Sequence, residues 1–393
     1  MSSRHMTLLL ALAVVLGPLS MQIYLPVLPE VQRSFLTSNE VTQLSFSVYM
    51  LSMGIAQLFI GTLSDRFGRR PLMLAGIAIF IVGSAACAVA PGIEWLIAAR
   101  ALQAIGGGSG LVLARAILSD LYPPAEMARR FAFVILLMLV GPTLGPLLGG
   151  IIAEFGGWRL IFWFLSGAGV FVFLMLLQLL PETLRKSDAA QSSGLLGGWK
   201  LALQEKRFLL YGAVSTFSLS AYYVFISIAP FLTAALFSTS PKEFGQYFIV
   251  LALAYGCGNF TATRLTVRLG IKRTVFFGMT IALSGGVILA ALVVAGFWSP
   301  LGLFLPMAVI TFAHGFSGPS TQAGAIAQVP EHAGAASSLV SFAMQFVGAA
   351  IAQLVASTSL DTPYPLTGIL LLLLMGSYVA ALRIHRTGHP GRP

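Results

Sequence analysis

Gly61-Thr62-Leu63-Ser64-Asp65-Arg66-Phe67-Gly68-Arg69-Arg70 is a short charged break between two long apolar runs. The runs on either side, about 41–63 and 72–91, each have the length of roughly 20 apolar residues that crosses a bilayer as a helix. Basic residues collect in the cytoplasmic loops of membrane proteins, so the break reads as an inner loop. A partial copy, Val267-Arg268-Leu269-Gly270-Ile271-Lys272, lies 202 residues further on, again between two apolar runs. The same kind of loop after the second run and after the eighth points to two related halves, an arrangement common in transporters.

Working outward, the apolar spans fall at about 6–28, 41–63, 72–91, 94–118, 131–154, 160–180, 208–236, 244–266, 274–296, 300–327, 333–358 and 364–384. Helices are required, because barrel strands would alternate polar and apolar residues over short segments. The first run is too long for a signal-peptide core and is expected to stay as a helix. With the N-terminus inside, the inner side holds eighteen Lys and Arg residues. They are Arg4, Arg66, Arg69, Arg70, Arg129, Arg130, Arg185, Lys186, Lys200, Lys206, Arg207, Arg264, Arg268, Lys272, Arg273, Arg383, Arg386 and Arg392. The outer side holds Arg33, Arg159 and Lys242, and this asymmetry puts both termini in the cytoplasm. Arg100 and Arg115 fall inside the fourth span.

Composition agrees with this reading. The 393 residues are 57% apolar and 9% charged, with a mean hydropathy of +0.88. A soluble domain carries about 25% charged residues, so this outer surface must face lipid. The net charge of +10 follows from topology and does not require nucleic acid as a partner. The expected architecture is an all-α membrane protein of twelve helices in two six-helix, pseudo-symmetric bundles. The bundles span 1–180 and 208–393, joined by a polar cytoplasmic linker over 181–207.

The 61–70 stretch resembles the cytoplasmic loop motif of the major facilitator superfamily. Arg100 with Gln103 and the following glycines resembles that family's fourth-helix motif. Gly141-Pro142-Thr143-Leu144-Gly145-Pro146-Leu147-Leu148-Gly149-Gly150 resembles the fifth-helix motif of its antiporters. Pro181-Glu182-Thr183-Leu184 and Tyr24-Leu25-Pro26 are similar to the bicyclomycin and chloramphenicol/florfenicol exporter branch. The resemblance implies two bundles that rock around a central site, export of a small amphipathic compound, and proton antiport. It implies cavity-lining roles for the first and fourth spans. It also implies an acid where this chain has Gln22, which cannot carry a proton.

The residues support specific roles. Asp65 can pair with Arg66 or Arg69, or with a helix N-terminus, and Asp120 can pair with Arg69. With Gly61, Gly68 and Arg70 they form a candidate cytoplasmic latch; topology alone would also place bases there. Gly141, Pro142, Gly145, Pro146, Gly149 and Gly150 allow close approach and a bend, or ordinary packing. Gly106-Gly107-Gly108-Ser109-Gly110 follows no strand and reads as helix packing, not a phosphate cradle. His385 and His389 read as a solvated tail, not a metal site, and the two cysteines read as small hydrophobes. No cofactor or metal is expected, and the near-absence of Asp, Glu and His from the spans disfavours an enzyme.

Ionisable groups inside a membrane are functional candidates by default. Arg100 lies six residues from Glu94, roughly 9 Å along the helix. Gln22, six residues before Leu28 on the antiparallel first span, shares its depth. Arg100 is read as acting on substrate or coupling, or as fixing geometry; Arg115 is read as pairing with Asp120. His314, mid-span, is a second titratable candidate or a packing histidine. Tyr24, Tyr49, Gln103, Tyr222 and Tyr223 complete the candidate substrate and coupling set. The expected partners are a small-molecule substrate, protons and the lipid bilayer, with the chain a monomer in the inner membrane. The alternatives are a metabolite uptake symporter or facilitator, and a non-transporting receptor or structural protein.

Overall fold

In lipid every backbone N–H and C=O must be satisfied within the protein, which favours continuous helix. Among the described residues there is helix and no strand. The computed structural model describes residues 3–184, 195–358 and 362–386. Arg185, Lys186, His389 and Arg392, named above, lie outside them, as do residues 187–194 of the expected linker.

The first apolar run forms α1 (Ser3–Ile23), a 3-10 turn (Leu25–Val27) and α2 (Leu28–Phe35). Pro26 and Pro29 interrupt it, so the helix stops short of Leu28 and restarts there. There follow α3 (Asn39–Phe67), α4 (Arg69–Ala88) and α5 (Ile93–Leu121). Ser38 caps α3 by accepting from the Val41 N–H at 3.3 Å. Then come α6 (Pro124–Met138) and α7 (Val140–Leu179).

Pro124–Leu179 is one apolar stretch of 56 residues. As a straight helix it would be roughly 84 Å long, against a hydrocarbon core of about 30 Å. It crosses twice, because the path turns at Gly156 and at Gly157, whose φ is +68°. With this fold, the eleven apolar helical stretches supply twelve crossings.

The rest of the chain comprises α8 (Leu195–Gln204), α9 (Lys206–Phe237), α10 (Pro241–Leu269) and α11 (Ile271–Val294). It closes with α12 (Pro300–Ile326), a 3-10 turn (Pro330–His332), α13 (Ala333–Ala356) and α14 (Tyr364–Arg386). Helix α8 lies in the stretch read from sequence as linker. It is too short to cross, but it is anchored: Trp199 Nε1 donates to Ser338 Oγ at 3.4 Å, and Ala202 is buried among Phe208, Val340 and Met344. Helix α14 runs through His385, whose ring stacks on Phe276 at 4.6 Å, so His385 is not part of a tail.

Two compact units result. The first holds 1–192 with 240–246; the second holds 193–239 with 247–393. In the first, α5 packs on α3 and α4, and α1 packs on α7. In the second, α12 packs on α11, and α9 packs on α13 and α14. The sequence echo has a backbone counterpart. Gly68 (φ +99°) and Gly270 (φ +75°) each form a one-residue joint between consecutive helices. Each N–H reaches back four residues, to Ser64 O at 3.1 Å and Thr266 O at 2.8 Å. Only glycine adopts such a φ without strain, which is why both copies keep it.

Candidate functional site

Arg100 lies in the middle of the first unit and is fully buried. Its guanidinium carbon lies 3.9 Å from the Tyr49 ring centroid, 4.7 Å from Tyr24 and 5.7 Å from Phe162. Nη1 donates to Gln103 Oε1 at 2.5 Å and to Ser20 Oγ at 3.2 Å. Gln103 Nε2 donates to Ser84 Oγ at 2.8 Å, and Tyr49 OH donates to Gly17 O at 2.9 Å. The Tyr24 and Ser45 hydroxyls are 2.8 Å apart.

Nε and Nη2 of Arg100 have no hydrogen-bond partner, and none of the ion pairs among the described residues includes Arg100. Burying a cation costs several kcal/mol. Cation–π contact returns about 2 kcal/mol for a desolvated ring, so three rings offset a comparable amount.

Gln22 is not among the hydrogen-bond partners of Arg100; the amide that reaches it is Gln103. The residue of α1 that reaches Arg100 is Ser20. Ser20 and Gln22 are two residues apart, about 200° around the helix. Ser20 faces Arg100, whereas Gln22 is buried against α7, where a Cβ on Gly145 would meet its Cβ at 2.9 Å.

The 61–70 joint carries a second cluster. Arg69 pairs with Asp65 at 2.5 Å and with Asp120 Oδ2 at 3.1 Å, and it donates to Ser64 Oγ. Arg66 lies over the Phe67 ring. The stretch after α7 closes on the same joint. Glu182 accepts from the Arg69 N–H at 3.0 Å and the Arg70 N–H at 3.2 Å, which caps α4. Arg70 Nη2 donates to Leu177 O at 2.8 Å, and Thr183 Oγ1 donates to Asp120 at 3.1 Å. Burial raises the Glu182 carboxyl, but N–H donors from Leu184, Arg69, Arg70 and Thr183 outweigh it and hold the group below its ordinary range.

Arg115 does not pair with Asp120. It is exposed and lies over Phe131 at 5.8 Å. Five helical residues turn a side chain through about 140°, away from the Asp120 face.

Gly141, Gly145 and Gly149 of α7 face α1. A Cβ on Gly141 would meet Leu19 N at 2.8 Å, and one on Gly149 would collide with the Ile23 carbonyl. Gly150 lies under Pro241 and Lys242, and Lys242 pairs with Glu154 at 3.1 Å. The break between α6 and α7 at Leu139 comes just before Pro142, whose missing N–H leaves the Met138 carbonyl without its helical donor. Pro146 continues inside α7.

At the other end of this unit, Glu30 accepts from the Trp158 N–H at 3.2 Å and Trp158 Nε1 donates to Ser34 at 3.1 Å. Arg159 covers Trp158 at 4.2 Å and donates to Ala90 O at 3.0 Å.

In the second unit, His314 of α12 is half-buried. Its Nδ1 lies 3.2 Å from Ser218 Oγ of α9, and its ring stacks on Tyr255 of α10, 6.0 Å between centroids and 29° between planes. Tyr222 and Tyr223, one turn from Ser218, have ring centroids 5.9 Å apart. Ser20, Phe162, Glu30 and Ser218 were not singled out from sequence. Serines on apolar helices and a lone glutamate in a helix's first turn carry no pattern until their partners are placed.

The major facilitator superfamily model matches residues 10–353. A bicyclomycin resistance protein homolog of Haemophilus influenzae is 26% identical over 95% of this chain and 92% of its own. A chloramphenicol resistance protein of Pseudomonas aeruginosa is 32% identical over 74% of this chain and 69% of its own. Among solved structures, the xylose transporter XylE from Escherichia coli aligns with a TM-score of 0.76 at 15% identity, covering 99% and 98% of the two chains, a likeness of fold. The chain belongs to the major facilitator superfamily: it is a multi-pass membrane transporter for small molecules, not an enzyme.

Proposed function

We propose that this chain exports small amphipathic, drug-like compounds across the inner membrane by alternating access and proton antiport. The bundles over 1–180 and 208–393 rock as halves, and the chain acts as a monomer with both termini cytoplasmic. Membership of the family, with relatives named for resistance to bicyclomycin and chloramphenicol, supports export of such compounds. Tyr222 and Tyr223, half-buried neighbours in the second unit, supply aromatic surface of the kind that walls an amphipathic pocket, whereas Tyr24 and Tyr49 act through the rings they lay on Arg100. The cluster of Gly61, Asp65, Arg66, Gly68, Arg69, Arg70 and Asp120 is the cytoplasmic latch. The α7 glycines and prolines form the bend.

The observation that carries substrate preference is Arg100, a buried cation with two nitrogens, Nε and Nη2, that have no hydrogen-bond partner and, among the described residues, no carboxylate within ion-pair distance. Its field repels lipophilic cations and favours neutral or anionic compounds. The test is flux in sealed proteoliposomes under an imposed pH gradient. Chloramphenicol and a monocarboxylate dye should move outward-equivalent at least tenfold faster than tetraphenylphosphonium. Preferred transport of the cation, or movement only in the uptake direction, would sink the reading.

A further inference from the structure

Among the described residues, no mid-span carboxylate is present to carry a proton. Of the thirteen acidic residues, Asp188 and Asp361 lie outside the described residues. Glu30, Glu40, Glu94, Glu126, Glu243 and Glu331 each sit in the first turn of their helix. Asp65 and Asp120 are in last turns, and Glu205 is the cap of α9. Glu154 lies beside the Gly156–Gly157 break, and Glu182 follows α7. The groups at depth in the first unit do not replace them. Gln22 has no ionisable proton, and the Arg100 guanidinium does not release one. The Cys87 thiol and the tyrosines ordinarily titrate near 8.5 and 10, outside a cycle run near neutrality.

His314 is the fifteenth of the 27 residues of α12, hence mid-span. An imidazole ordinarily titrates near pH 6.5. We propose that His314 is the proton-carrying group of this transporter, which places coupling in the second half instead of on the first and fourth spans. The inference rests on the antiport reading above.

The surroundings suit a group that must be stable both with and without its second proton. Ser218 Oγ lies 3.2 Å from Nδ1. A hydroxyl donates to a bare ring nitrogen and accepts from a protonated one, so the same contact serves both states. The Tyr255 ring stacks on the imidazole at 6.0 Å between centroids, inclined by 29°, and its π face attracts imidazolium. Tyr255 is itself held by Asn259. On the Nε2 side, one turn along, stands Gly318: even a Cβ there would be 3.8 Å away, so that nitrogen is left uncovered on that side.

The fixed charges of the packing helices sit toward their ends, with Lys206 and Arg207 at the start of α9, Lys242 and Glu243 at the start of α10, and Arg264 and Arg268 in its last two turns. Helix α9 presents Ser218, Tyr222 and Tyr223, and α10 presents Tyr255 and Asn259. The charged groups of α11 are Lys272 and Arg273 in its first turn, and α13 has none. A proton on His314 therefore changes the charge of this core by a full unit. That is what lets proton occupancy decide which conformation is favoured.

The experiment uses the full chain in proteoliposomes loaded with the pH dye pyranine, with labelled chloramphenicol as the probe. Wild type should exchange chloramphenicol against protons at a rate that changes severalfold between pH 5.5 and 8. His314→Gln keeps a polar group beside Ser218. It should retain chloramphenicol exchange without a gradient to within about twofold, lose proton counterflow at least tenfold, and show a flat pH profile. Proton counterflow that survives His314→Gln overturns this inference alone, and so does wild-type flux without proton counterflow. Absence of any chloramphenicol movement by wild type counts instead against the export reading on which it rests. Should His314→Gln lose exchange altogether, Ser218→Ala decides: it keeps the imidazole but removes its partner, so the pH midpoint of exchange must move, and an unmoved midpoint overturns the proposal.

Discussion

At the scale of single residues, the first unit is organised by one guanidinium that has rings where a counter-ion would be expected. Tyr49 contributes the nearest ring, at 3.9 Å, and also a hydrogen bond to Gly17 O. The two contributions separate by substitution. Tyr49→Phe loses only the hydrogen bond, about 1 kcal/mol. Tyr49→Leu loses the π face as well, about 2 kcal/mol more. Thermal unfolding of the purified protein in detergent should therefore rank wild type above Phe above Leu; equal stability of the two variants would show that the ring face does not hold Arg100. Arg100 itself was legible from sequence, because a charge inside an apolar span stands out. Its contact on α1 was not, because Ser20 and Gln22 differ only in the face of α1 they occupy, and apolar neighbours on every side leave no periodicity to orient that helix.

At the scale of elements, ends and contacts are set by individual caps and clearances. Glu182 caps α4 from a distant segment, and its carboxyl is held below the ordinary range. A group with a depressed folded-state value contributes stability above its unfolded value, about 4.3, and loses that contribution as pH falls through the lower folded value. Glu182→Gln should thus lower the melting temperature at pH 6. The gap from wild type should narrow as pH is brought toward 3; a gap that stays constant with pH would mean the carboxylate charge plays no part.

Helix contacts offer a paired test. Gly149 lies against Ile23, whereas Gly167 has nothing within 4 Å of an added Cβ. Gly149→Ala should cost about 1–3 kcal/mol by overpacking. Gly167→Ala should be neutral or gain up to about 1 kcal/mol from helix propensity. Comparable melting of both variants would remove the α1–α7 approach as the reason for that glycine. Helix α8 escaped the sequence reading for a similar reason: ten residues in a polar stretch look like a linker until Trp199 and Ala202 find the second unit.

At the scale of the whole molecule, twelve crossings were legible because hydropathy over some 20 residues is a coarse property that survives local error. The repeated joint at Gly68 and Gly270 was visible because positive φ restricts both positions to glycine. What surrounds the joints is not repeated: Gly68 lies against Glu182, while Gly270 has nothing within 4 Å of an added Cβ. Orientation remains a matter of charge. A reporter fused after Arg386 should be cytoplasmic, and one inserted at Lys242 external. Finding the fusion after Arg386 outside would overturn the orientation on which the proposed cytoplasmic latch depends.

The Trp158–Leu179 part of α7 is gripped at both ends by glutamates. Glu30 holds its first N–H, and Glu182, just beyond its last turn, holds the start of α4. A rod clamped at both ends neither slides nor spins. Phe162, one turn from the Glu30 clamp, is thereby kept in register over Arg100. The sixth crossing acts as a strut pinned at each mouth of the bundle, so loosening either pin should be felt at the guanidinium in between.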